Sequence, residues 1–179
     1  PSSPVSPPAQ RPMPLQAPWR LDYIRSLGPQ GKAEGCFLCE AASAGPEAFR
    51  ERLILWTTDL TVVLLNRFPY ANGHVLIAPR AHLAEWEELS TEQVTDIGVQ
   101  TQHVLTLLRR AVSAQGFNVG MNLGRVAGAG VPGHLHQHVV PRWGGDVNYM
   151  AVIGEVKVIP QALSQLYDDL MQWKARLGL

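Results

Sequence analysis

Hydrophobic positions along this chain switch between a two-residue and a 3.6-residue period, and the switches outline its elements. Residues 53–57 and 61–66 are apolar runs rich in β-formers, with Thr58-Asp59 between them as a turn. Residues 67–73, Arg-Phe-Pro-Tyr-Ala-Asn-Gly, have loop chemistry. Residues 74–78, His-Val-Leu-Ile-Ala, then read as a third strand stopped by Pro79. Ser90 followed by Gln93 is a capping-box pattern. Behind it Val94, Ile97, Thr101, Val104, Leu105, Leu108 and Val112 recur at helical spacing, which predicts a long helix to about Ser113. Strands follow at 117–123 and at 134–140, the latter ended by Pro141. Pro160 opens a last helix with Leu163, Leu166, Tyr167, Leu170 and either Trp173 or the Lys174 stem on its apolar face. Strands joined by tight turns, with helices set apart, predict an α+β fold: an antiparallel sheet of about five strands with two main helices.

The chain's 179 residues fit one domain with a tail. Seven of its fourteen prolines fall in residues 1–18, which predicts a flexible polyproline-type arm, with a single domain over 19–179. Between 19 and 24, Trp19, Leu21, Tyr23 and Ile24 make an amphipathic stretch suited to docking on the body or on a partner subunit. The arm lacks the basic start and apolar core of a signal peptide, so a cytoplasmic location is expected. No apolar run approaches the ~20 residues of a membrane span. Lys plus Arg and Asp plus Glu are 15 each, which argues against a nucleic-acid binder but leaves room for a small anion at one local site.

The chemistry concentrates in His134-Leu135-His136-Gln137-His138. Alternation along a strand puts three imidazoles on one face. Three readings are open: partly exposed histidines with no task, a metal site, or nucleophilic catalysis by an imidazole that is neutral near pH 7. The preceding segment, residues 122–133, holds four glycines and can turn its amides toward an anion. A glycine-rich loop directly before three histidines describes a phosphate cradle beside a nucleophile.

His-x-His-x-His followed by apolar residues resembles the signature of the histidine triad superfamily of nucleotide hydrolases and transferases. Asn66-Arg67-Phe68-Pro69 and Gly73-His74-Val75-Leu76-Ile77-Ala78-Pro79 resemble that family's nucleoside-binding strand pair. Pro141-Arg142-Trp143-Gly144-Gly145-Asp146 and Lys157-Val158-Ile159-Pro160 extend the likeness to the actinobacterial-type diadenosine tetraphosphate phosphorylase branch. The resemblance implies that His136 is the nucleophile that becomes adenylylated, that His138 bonds a phosphate oxygen or the departing group, and that His134 orients the ring beside it. It implies that Asn66 holds the ribose, that Asn122 touches phosphate near the leaving oxygen, and that amides around Gly128, Ala129 and Gly130 bind the α-phosphate. Trp143 stacks on a second adenine, walls the pocket or only packs, and His74 is a site-wall or packing residue.

Many hydrolases of the family carry Gly-Gln-Ser or Gly-Gln-Thr where this chain has Gly128-Ala129-Gly130-Val131. Loss of that glutamine favours inorganic phosphate as second acceptor, with diadenosine tetraphosphate giving ATP and ADP. Hydrolysis of dinucleoside polyphosphates or phosphoramidates to AMP, a nucleotide-binding regulator with little turnover, and a metal-handling protein are the rivals. Gln137 stands where the motif is often apolar, but alternation turns it to the opposite sheet face.

Cys36 and Cys39 are the only cysteines, spaced as Cys-x-x-Cys, without the strand–motif–helix context of a redox pair. A zinc site needs two more ligands, and the resemblance supplies His82 and His134. The expected cofactor is therefore a structural zinc ion or none, with no organic cofactor. Expected partners are a dinucleoside polyphosphate or adenine nucleotide and inorganic phosphate, no nucleic acid and no membrane, in a homodimer or homotetramer.

Overall fold

A computed structural model describes residues 35–146 and 161–179. The proline-rich arm, the amphipathic stretch at 19–24, residues 157–159 and Pro160 lie outside the described residues. Two short helices not expected from periodicity come first, α1 (Phe37–Ala42) and α2 (Phe49–Arg52). At six and four residues, they are too short to show a helical repeat. β1 (Ile54–Thr57), β2 (Thr61–Leu65) and β3 (Val75–Pro79) follow, then the long α3 (Thr91–Ala111). β4 (Gly116–Met121), β5 (Gln137–Arg142) and α4 (Leu163–Leu177) complete the chain. The five strands form one antiparallel sheet in the order β1-β2-β3-β5-β4.

The α3 start follows its sequence signal: Ser90 Oγ accepts from the Gln93 amide at 3.3 Å, while Gln93 Oε1 accepts from the Ser90 amide at 2.9 Å. Both reciprocal bonds satisfy donors that a helix start leaves open. The last helix begins at Leu163, with Ala162 at its N-cap position and no side-chain cap.

Each sheet face carries its own core. Leu55, Val63, Leu65, Val75, Ile77 and Val139 pack against α3 and α4 through Ile97, Val104, Leu107, Leu108, Leu166 and Leu170. On the other face Ile54, Val62, Leu64, Leu76 and Ala78 meet Leu38, Ala41 and Ala42 of α1. β2 and β3 are thus buried throughout, which is why they read as continuous apolar runs. Leu170 is fully buried between α4 and the sheet. Leu170→Ala is expected to cost about 2–5 kcal/mol, read as a lower urea midpoint at unchanged m-value.

Pro79 ends its strand as expected, but Pro141 does not. Pro79 is the last β3 residue, paired with Thr61, and Pro141 lies inside β5 opposite Phe117. The Arg142 carbonyl accepts from Gln115 on the β4 side, so Pro141 turns its missing donor the other way, beyond the last β3 partner, Val75 opposite Val139. The fifth strand also starts later than expected. His134, in a bend, and His136 precede it, and only His138 lies within β5.

Candidate functional site

Register places the polar residues together. Leu64 pairs with Leu76, Leu76 with His138, and His138 with Gly120, so these positions share the face that carries α1. Two-residue alternation then brings Asn66, His74 and Asn122 to the same face. Gln137 takes the opposite face and donates to Thr101 Oγ1 of α3 at 2.6 Å, tying the histidine segment to the long helix. Gly120, across from His138, has nothing within 4 Å of where a Cβ would stand, which leaves room beside that ring.

The histidines are held in defined tautomers. His74 Nδ1 accepts from the Tyr70 amide at 3.1 Å and from Asn66 Nδ2 at 3.2 Å. An imidazole nitrogen that accepts carries no proton, so His74 holds its proton on Nε2. That Nε2–H donates to His138 Nδ1 at 3.0 Å, which in turn puts the proton of neutral His138 on its own Nε2. Asn122 Nδ2 lies 3.5 Å from this nitrogen, and turning the side-chain amide over would present its oxygen as the acceptor. His136 Nδ1–H donates to the main-chain carbonyl of His134 at 2.8 Å, leaving a lone pair on His136 Nε2. The rings of His136 and His138 meet edge to face at 4.9 Å. The site therefore presents one unprotonated nitrogen beside one N–H donor.

Burial keeps these rings neutral. It pushes His136 below the ordinary histidine value, against the opposing hydrogen bond to His134, and it pushes His138 down to about 4, with His136 adding to the shift. The unfolded chain then binds protons that the folded site refuses, so stability is full above pH 6.5 and is lost as pH falls through about 4. Denaturant midpoints measured across this window should fall toward acid, with a shallower slope for His138→Asn.

His134 has its carbonyl against the neighbouring His136 ring and its own ring against the two cysteines. Its ring is turned away from His136 and donates from Nε2 to the Pro79 carbonyl at 2.9 Å. This carbonyl is available because β3–β5 pairing stops at Ile77 opposite Gln137. His134 Nδ1 instead faces Cys36 Sγ at 3.2 Å and Cys39 Sγ at 3.4 Å, and Cys39 Sγ meets His82 Nδ1 at 3.1 Å. All four ligand atoms lie within 4.8 Å of one another. Donors around a tetrahedral zinc ion stand roughly 3.3–3.8 Å apart, so this Cys2His2 set has the chemistry and the size for it. Burial, with Cys36 beside it, raises the Cys39 thiol, and a dication among the four donors would reverse that preference.

Three groups of expected site residues make bonds within the chain. The Gly128 amide donates to Arg125 at 3.0 Å and the Ala129 amide to Gly124 at 3.3 Å. Gly124 and Gly128, at φ of +75° and +92°, fold the loop into successive turns that use these amides internally rather than aiming them at an anion. Asn66 Oδ1 accepts from the Phe68 amide at 2.9 Å, so Asn66 fixes the turn and His74 and keeps only one N–H for a ribose. Trp143 packs on the helix-side core, its indole N–H on the Val112 carbonyl at 3.1 Å. It lies just past the end of β5, five residues from His138 and roughly 17 Å from it along an extended chain. Tyr70 is the residue that sequence reasoning missed. Its half-exposed ring lies over His74 and His138 at 4.8 and 5.9 Å, and its amide sets the His74 tautomer, a main-chain role that a side-chain pattern does not reveal.

Residues 50–145 match the HIT domain family, more than half of the chain, and the protein belongs to it. It is 41% identical over 113 residues to an AP-4-A phosphorylase of Mycobacterium tuberculosis, a match covering 63% of this chain and 58% of that protein. It is 31% identical over 98 residues to a bis(5'-adenosyl)-triphosphatase of Dictyostelium discoideum, covering 55% of this chain and 65% of the relative. The fold is that of a Zn-bound histidine triad family protein from Mycobacterium smegmatis, with a TM-score of 0.64 at 23% identity over 80% of this chain and 96% of that one. No helix among the described residues is long and apolar enough to cross a membrane.

Proposed function

We propose that the chain transfers an adenylyl group from diadenosine tetraphosphate to inorganic phosphate, releasing ATP and then ADP. One observation carries the chemistry: the hydrogen bonds leave a lone pair on His136 Nε2 and a proton on His138 Nε2. His136 Nε2 attacks the α-phosphorus; the N–P bond forms as the P–O bond to the departing ATP breaks. The His138 N–H donates to the departing oxygen, where charge accumulates. A phosphate oxygen then attacks the same phosphorus, the N–P bond breaks, and ADP leaves with His136 restored. Phosphate as acceptor is supported by the absence of a glutamine side chain in Gly128-Ala129-Gly130 and by the activity in the Mycobacterium tuberculosis relative's name. Water as acceptor is the second reading, favoured by the triphosphatase relative.

Product analysis separates the two. ADP plus ATP formed only when phosphate is present supports phosphorolysis, and AMP plus ATP regardless of phosphate makes the protein a hydrolase. Cys36, Cys39, His82 and His134 would hold a zinc ion, which would supply structural cross-linking between α1 and the segment before β5. A homodimer or homotetramer is part of the proposal, checked by light scattering.

His74 acts as a positioning residue. His74→Phe removes the donor that fixes the His138 tautomer, so kcat is expected to fall roughly 10–100-fold, the scale of losing an orienting partner, with KM nearly unchanged. A substrate whose leaving group needs no proton should lose far less. Equal losses on both substrates would show that His74 serves packing alone.

A further inference from the structure

His138 has one closed side and one open side. On the β3 side its Nδ1 receives the His74 Nε2–H at 3.0 Å, and the Tyr70 ring lies over the His74 and His138 rings at 30° and 26° to them. On the β4 side its Nε2 faces the Asn122 side-chain amide, 3.5 Å away and just past the strand end. Gly120 stands directly across from His138 in the β4–β5 pairing, on the same sheet face. It is exposed, and no described residue comes within 4 Å of the point where its Cβ would be. α1 packs on this face through residues of β1, β2 and β3, so the α1 layer stops short of β4.

The backbone at Gly120 does not call for glycine. Its φ lies outside the left-handed region that favours that residue, and larger side chains, β-branched ones above all, suit a strand. What glycine leaves at this position is space, not conformational freedom. In-line displacement at the α-phosphorus puts the departing oxygen opposite His136 Nε2, beside the His138 Nε2–H. That N–H points toward β4, and the other side of the ring is filled by His74 and Tyr70. We infer that the departing polyphosphate leaves over β4, through the space above Gly120, and that the lack of a side chain at position 120 sets how large a departing group the site accepts. Gly120 is a specificity-determining residue for the leaving half of the substrate, while the adenylyl half stays on the His136 side. A bulkier residue here would admit only small departing groups.

This assignment rests on the proposed adenylyl transfer, and two substrates that share the adenylyl group test it. Diadenosine tetraphosphate releases ATP, whereas adenosine 5'-phosphosulfate releases a single sulfate. Gly120→Val should lower kcat/KM on the first by roughly 10–200-fold, the scale on which a pocket responds to a methyl group or two, and on the second by less than about threefold. Gly120→Ala should fall between the parent and the valine variant on the first substrate. Equal losses on both substrates, or no loss on either, would overturn the inference. Urea midpoints show whether each variant has kept its fold, and the alanine variant carries the comparison if the valine variant does not fold.

Binding supplies a reading that needs no turnover, and it decides if the parent does not use the phosphosulfate. In the His136→Asn background, isothermal titration compares diadenosine tetraphosphate with AMP. Adding Gly120→Val should weaken the dinucleotide by roughly 10–200-fold and leave AMP within about threefold. Equal weakening of both ligands, or of neither, overturns the inference. A parent that turns over neither substrate, with the selective loss of dinucleotide affinity intact, would count against the proposed activity and leave the subsite standing.

Discussion

His136→Asn is expected to lower kcat by about 10⁴-fold or more while nucleotide affinity stays within a few-fold, the pattern of a lost nucleophile. Asparagine keeps an N–H able to donate to the His134 carbonyl but has no counterpart of Nε2, so the variant removes the attacking lone pair and little else. Folding should be nearly intact, since the exchanged ring lies before β5 and outside both apolar cores. Isothermal titration with a non-reacting adenine nucleotide and steady-state kinetics on the same preparation read the two quantities. A regulator that only binds nucleotide would show no loss of function in the variant, and that result would remove the enzymatic reading.

The second large effect is on stability. Exchange of both Cys36 and Cys39 for serine, or chelation of the parent, is expected to lower the melting temperature by roughly 5–16 °C. This range follows from about 2.7–4.1 kcal/mol of linkage at free zinc 100–1,000 times Kd, and from the ~2–4 °C per kcal/mol of a chain this size. The four donors come from α1, from the segment after β3 and from the approach to β5, so the ion would close loops of 43 to 98 residues. Scanning calorimetry at fixed zinc concentration checks this. An unchanged transition with both cysteines replaced would show that the cluster holds no metal under those conditions.

The sheet and α3 were legible because their signals are local: continuous apolar runs for doubly buried strands, and a capping box ahead of a helical repeat. The clustering of His74, Asn122 and His138 was legible once two-residue alternation is joined to strand pairing. Three features were not. Pro141 looks like a strand end, and only the order of neighbouring strands shows that its missing donor faces no partner. The spacing of His134, His136 and His138 suggests one shared strand face, but β5 begins at Gln137, and the approach of the His134 ring to the cysteines was expected only from the family resemblance. The glycine loop carries the composition of an anion cradle, yet Gly128 and Ala129 spend their amides on its own carbonyls. For Pro141 and the glycine loop the deciding partner is a main-chain group distant in sequence or hidden in a turn, and side-chain pattern carries no trace of it.

The most direct test is to trap the covalent state. The purified chain is mixed with diadenosine tetraphosphate in phosphate-free buffer, quenched within its first turnover at alkaline pH, which preserves a phosphorus–nitrogen bond, and mapped by mass spectrometry. One acid-labile adenylyl group on the peptide carrying His136, lost with formation of ADP when phosphate is added before the quench, is the expected result. Turnover without an adduct, or an adduct on any other residue, would contradict it.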